Sequence, residues 1–271
     1  MSYFDMMGGV DVEKLSDNVF KHEEAQKCLM GMGQTSENVA EQFGITRQMQ
    51  DELALSSQVK AVKASEEGWL QSEITPMKVT VVGKDGKKTE VIADKDEGVR
   101  KTTAEVLAKL KPSFKEGGTT TAGNSSQLTD GAAAVLLARR SFAKQHGLPI
   151  LGRVVSYAVA GVPPEVMGIG PAFAIPKALD KAGLKVDDID IFEINEAFAS
   201  QALYCVKKLG IDQKKLNPKG GAIALGHPLG MTGARMIVTL MKELERTEKK
   251  YGVVSMCIGT GMGACAVIQR E

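Results

Sequence analysis

The chain has 271 residues, 43% hydrophobic and 25% charged, with 34 Lys and Arg against 33 Asp and Glu, a formal net charge of +1. That balance, with 5% aromatic residues and one Trp, excludes an electrostatic nucleic-acid or membrane-surface partner and a base-stacking platform. No 18-residue apolar run marks a membrane span, and Cys28, Cys205, Cys257 and Cys265 form neither CxxC pairs nor a disulfide framework, so no metal site is expected and any functional cysteine acts as a thiol.

In chain order, Thr46 is placed to cap a helix running to about Gly68. Lys78–Val82 and Thr89–Ala93 across Lys84–Asp85–Gly86 predict a hairpin, and Thr103–Leu110 a short helix. A Gly/Thr/Ser-rich loop, Gly117–Asp130, precedes an apolar strand-like run, Ala132–Arg139, which needs partners to make a sheet. From Ile150 the pattern tightens. A β-rich run to Val162 leads to a helix with Ile175, Ala178, Leu179 and Ala182 on one face, ending at Gly183. The strand Ile189–Ile194 follows, then a helix burying Phe198, Ala202, Cys205, Val206 and Leu209 up to Gly210. Gly221–Leu225 reads as a third strand. Beyond it lie a helix with Ile237, Leu240, Met241 and Leu244 at i, i+3, i+4, i+7, and two strands, Gly252–Cys257 and Ala264–Ile268. The order β-α-β-α-β-α-β-β predicts an α/β fold with a largely parallel sheet.

Three segments at strand ends carry the candidate chemistry, where open α/β sheets place their sites. Asn195–Glu196–Ala197–Phe198 opens a helix, and capping alone would account for an Asn and a Glu there. Gly226–His227–Pro228–Leu229–Gly230 holds one of three histidines, fit either for catalysis or for a backbone-bonded turn. Cys257–Ile258–Gly259–Thr260–Gly261–Met262–Gly263 ends an apolar strand, where a cysteine is often core. It is no dinucleotide loop, which must open a helix, whereas the remaining residues read as a strand. Its glycines allow close backbone approach and N–H donation to an oxyanion.

In this order and spacing, the three segments, the second continuing through Thr232–Gly233–Ala234–Arg235, resemble the C-terminal signatures of the thiolases. Met30–Gly31–Met32–Gly33 with Thr35–Asn38, and Thr121–Ser126, resemble that family's loop-domain and CoA-contact segments, closest to its peroxisomal 3-ketoacyl-CoA type. The resemblance implies a thiolase-like layered fold divided into a loop-domain remnant (1–120), the last strand and helix of a truncated N-terminal half (121–148) and a complete C-terminal domain (149–271). It implies thiolytic cleavage of a 3-ketoacyl-CoA by CoA, with CoA as substrate and no cofactor. Cys257 would be the proton donor and acceptor, His227 and an Asn195-held water an oxyanion hole, and Gly259 N–H half of a second one. Glu196 would support them, Ser126 contact the pantetheine arm, and Met32 and Met167, otherwise core filler, line the acyl pocket. Met231, where relatives carry a small residue, would crowd the site or alter chain-length preference.

The family's acyl-accepting cysteine, in a Cys-Ser-Ser-Gly-like segment, has no counterpart here, and Cys28 does not match it. The chain alone is therefore expected not to carry out thiolysis, and to expose an apolar patch. A non-catalytic CoA-binding or thiolase-pairing short form is the alternative, and a Cys257–His227 hydrolase a third reading. Homo-oligomerisation or pairing with a full-length thiolase is expected, in a peroxisomal or cytoplasmic setting. Neither a secretory signal nor a peroxisomal C-terminal tripeptide is expected on the chain.

Overall fold

The computed structural model describes residues 4–5, 9–10 and 15–271. The remaining N-terminal residues of the 1–120 segment, and the signal-peptide expectation placed on them, lie outside the described residues. A short antiparallel pair, β1 (Phe4–Asp5) and β2 (Gly9–Val10), precedes α1 (Glu23–Lys27) and α2 (Met32–Gln42). Next comes α3 (Arg47–Glu66), whose N-cap is Thr46, with Oγ1 accepting from Met49 N–H. The antiparallel hairpin β3 (Met77–Val82) and β4 (Lys88–Ala93) and the short α4 (Ala104–Ala108), capped by Thr103, form where the sequence predicts them.

The run 132–139 forms no strand, contrary to expectation: it carries no ladder bonds, and Leu136 and Leu137 are 82% and 75% exposed. A strand is stabilised by its neighbours, and among the described residues none pairs with this run. Helix α5 (Arg140–Gln145) follows it.

The C-terminal part is a four-stranded sheet in the order β5-β8-β7-β6, from β5 (Gly152–Gly161), β6 (Ile191–Ile194), β7 (Tyr251–Ile258) and β8 (Met262–Arg270). It is mixed rather than largely parallel. Only the β6–β7 ladder is parallel: the short Gly259–Gly261 link makes β7 and β8 an antiparallel hairpin, and β5 pairs antiparallel with β8. Helices α6 (Gly170–Ala182) and α7 (Ala199–Leu209) cover one face, where Ile175, Ala178 and Val206 pack with Phe192, Ile194 and Val253. On the other, α9 (Thr232–Arg246) sets Met236, Leu240 and Leu244 against Ile191, Val254 and Ile268. Phe198 and Leu209, expected in the core, are only half-buried.

Gly221–Leu225 is not a third strand but a buried helical turn, α8 (Ala222–Leu225). A short apolar run fits a buried strand or a buried helix equally well by periodicity. Here the polar groups of buried neighbours decide it. Gly221 N–H donates to Ser57 Oγ at 3.0 Å and Ile223 N–H to Glu196 Oε2 at 3.4 Å, satisfying the turn's free N-terminal donors.

Glu193 on β6 faces α9, fully buried, with Arg235 Nη1 3.7 Å away. Burial outweighs that guanidinium and pushes the carboxyl up to about 8. The folded carboxyl keeps its proton between the ordinary carboxylate value of 4.5 and about 8, where the unfolded one has lost it, so stability should fall as pH rises. His227, pushed down from 6.5 to about 4, has the opposite sign below pH 6.5. Denaturation midpoints should therefore decline between about pH 6.5 and 8, and Glu193→Gln should flatten that decline.

Candidate active site

A cavity of about 480 Å³ opens where β6 and β7 end. It is walled by the turn Cys28–Met32, by Met167, by the segment after β6, by His227 and Leu229, and by the loop Cys257–Thr260. Of the residues singled out from sequence, Cys257, His227, Gly259, Ser126, Met32 and Met167 all line it. Asn195 lies beneath His227, and Glu196 lies behind it.

Cys257 sits near the end of β7, directly across the ladder from Gly263. Burial pushes its thiol up to about 11, so it is protonated at neutral pH. His227 enters from Gly226, whose φ of +87° turns the chain sharply and which abuts the Thr129 side chain, a conformation glycine adopts freely. Both ring nitrogens are engaged: Nε2 lies 3.2 Å from Asn195 Nδ2 and Nδ1 2.7 Å from Thr232 Oγ1. The bland alternative, a turn histidine bonded to backbone, is thus excluded. So is a direct Cys257–His227 couple, since the ring's partners are Asn195 and Thr232. Burial first, and then the charge of Arg235, hold the imidazole neutral with a pKa near 4. Thr232 Oγ1 also donates to Pro228 O at 3.0 Å. With that proton on Pro228 O, Thr232 accepts from Nδ1–H and Nε2 accepts from Asn195 Nδ2–H; with the hydroxyl turned to donate to Nδ1, Nε2 carries the ring hydrogen and is a donor.

Asn195 is 1% exposed, and its Oδ1 has no protein partner among the described residues. It does not cap α7, which starts at Ala199 with Phe198 as N-cap. Glu196 is fully buried, accepting from Ser57 Oγ and Asn217 Nδ2, both at 2.7 Å, and burial raises its pKa. It touches neither Cys257 nor His227. Instead it ties α3 and α8 to the segment carrying Asn195. Asn217, at φ +39°, clamps the same segment through Ile194 N–H and O, both at 2.9 Å. Ser126 is held by its N–H to Ala197 O at 2.9 Å.

Several contributors were not apparent from the sequence. Ser57 and Asn217 carry no local pattern, whereas Thr232, five residues after His227 at the start of α9, could have been noticed. Cys28, set aside as a nucleophile, lines the same cavity with Sγ 3.6 Å from Thr260 O. Met231 does not crowd the cavity: its methyl lies against Gly131, outside the lining. Among the described residues, no group of three or more His, Cys, Asp or Glu is arranged to hold a metal ion.

Two family models match: the thiolase N-terminal domain over residues 7–141 and the thiolase C-terminal domain over residues 148–270. This chain belongs to the thiolase family. It is 65% identical over 257 residues to the 3-ketoacyl-CoA thiolase B, peroxisomal, of Rattus norvegicus, covering 94% of this chain and 61% of that protein. With the 3-ketoacyl-CoA thiolase, peroxisomal, of Homo sapiens it shares 62% identity over the same fractions. The crystal structure of the dimeric peroxisomal thiolase of Saccharomyces cerevisiae superposes with a TM-score of 0.88 at 56% identity, covering 99% of this chain and 65% of that one. The thiolase therefore has the family's mixed α/β fold, and the chain spans about three fifths of the length of the curated relatives it matches.

Proposed function

We propose that this thiolase chain carries the enolate-handling part of a 3-ketoacyl-CoA thiolase site, serving thiolytic cleavage in fatty-acid β-oxidation in the peroxisome. The observation that carries this reading is that the Cys257 thiol and the neutral His227 imidazole line one largely apolar cavity, with the buried Asn195 amide against the His227 ring. In cleavage an acceptor thiol, which must come from outside this chain, loses its proton and bonds to the keto carbon of the 3-ketoacyl-CoA; the Cα–Cβ bond breaks and its electron pair becomes the enolate of acetyl-CoA. Cys257, held protonated, delivers S–H to that carbon and becomes a thiolate. His227 in its Nε2–H tautomer, Nδ1 accepting from Thr232 Oγ1, donates to the enolate oxygen together with a water taken by Asn195 Oδ1, while Gly259 N–H serves the second oxyanion. Ser126 meets the pantetheine arm, and Met32 and Met167 receive the acyl chain. CoA is the co-substrate, without a further cofactor. The division at 120/121 and 148/149 belongs to this reading; the family-model boundary between 141 and 148 supports the second division, whereas the N-terminal model runs across the first.

None of the four cysteines stands where the family's acyl acceptor does, so the chain by itself should exchange protons without carrying an acyl group. Pairing with a second or a full-length thiolase is the companion reading, supported by the exposed Leu136 and Leu137. One experiment addresses both points: incubation with acetyl-CoA in D₂O, followed by mass analysis of thioester and protein. The thioester should gain deuterium at its methyl carbon and the protein no acetyl group. Exchange no faster than buffer would overturn the enolate role, and an acetylated protein would overturn the absence of an acceptor thiol. In the same assay Asn195→Asp should lower exchange about 10²–10³-fold, since a buried carboxylate opposes the developing oxyanion.

A further inference from the structure

Four methionines, Met30, Met32, Met167 and Met256, line the cavity. A thioether on three rotatable bonds normally adapts to whatever it touches. Met30 is different. Its Sδ accepts from Asn38 Nδ2 at 3.1 Å, the same amide donates to Glu165 O at 3.0 Å, and Asn38 Oδ1 accepts from Gln34 Nε2 at 3.1 Å. With its hydrogen-bonding groups engaged, Asn38 pins Met30 and joins it to the turn that carries Met167. Among the described residues no such donor holds the sulfur of the other three.

Resting on the thioester-site reading above, we propose that Met30, fixed by Asn38, is the wall that sets the longest acyl chain this cavity admits. Met32, Met167 and Met256 yield to the chain; Met30 stops it. The cause is geometric: moving Met30 aside breaks its bond to the half-buried Asn38 amide, whereas among the described residues no hydrogen bond ties down the other thioethers.

The test is calorimetric titration of the chain with free CoA and with saturated acyl-CoAs from acetyl to palmitoyl. Affinity should rise about fourfold per added methylene while the chain enters apolar surroundings, then stop rising at a defined length. Met30→Ala should move that break to longer chains by about three methylenes, matching the atoms removed beyond Cβ. Met30→Phe should move it to shorter chains, and Asn38→Leu, which frees the thioether, should blur it. Folding of each variant is checked by its thermal transition, and the opposed directions of the two Met30 variants separate a wall from general damage. A break that stays in place in the folded variants overturns the proposal while CoA binding still supports the site. An absence of CoA binding in the parent chain removes both.

Discussion

Replacing Cys257 by alanine is expected to cut deuterium incorporation into acetyl-CoA by about 10²–10⁴-fold, the usual contribution of a positioned acid–base group. Alanine keeps the β7 ladder and removes only the sulfur, so the thermal transition should stay close to that of the parent. The pH profile gives an independent signature. Exchange needs the thiolate, and a thiol raised to about 11 is almost wholly protonated at neutral pH. The parent rate should therefore climb about tenfold per pH unit toward that value, while the alanine variant follows the buffer. A parent profile flat above pH 7 would assign the proton transfer to another group.

Gly263→Ala should be the more damaging change for the fold. A Cβ on Gly263 would collide with the Gly170 backbone, where the start of α6 lies against β8. Backbone atoms cannot turn away as a side chain can, so helix and strand must separate, at a cost of about 1–3 kcal/mol or more. Because Gly263 pairs directly with Cys257, the displacement reaches the thiol. The transition temperature and the exchange rate should fall together, and a variant with parental stability would show that this close approach is dispensable.

Much of this architecture was legible where residues act locally. Thr46 announces α3, and the alternating patterns around Lys84–Asp85–Gly86 announce the hairpin. The periodic apolar faces of α6, α7 and α9 fix those helices. Cys257, His227 and Asn195 were recognisable because each follows an apolar element beside glycines or at a helix start. What failed depended on distant partners. Residues 132–139 have strand composition but no partner strand among the described residues, and 221–225 became a helical turn because Ser57 and Glu196 satisfy its N–H groups. The direction of β5 against β8 is set by pairing across a hundred residues, which no local pattern encodes. The antiparallel β7–β8 pair, by contrast, could have been inferred from its short link. The polar supports of the site, Ser57, Asn217 and Asn38, are ordinary residues until the fold brings them to Glu196, Ile194 and Met30.

On the function proposed above, one cavity presents a proton-transfer thiol and an enolate-stabilising imidazole to the same CoA thioester. A crystal structure of the chain soaked with acetyl-CoA tests it most directly. The acetyl methyl should lie against Cys257 Sγ, the thioester oxygen at His227 Nε2 and the pantetheine arm beside Ser126. A thioester bound elsewhere, or one whose reactive carbon reaches His227 but not Cys257, would contradict it.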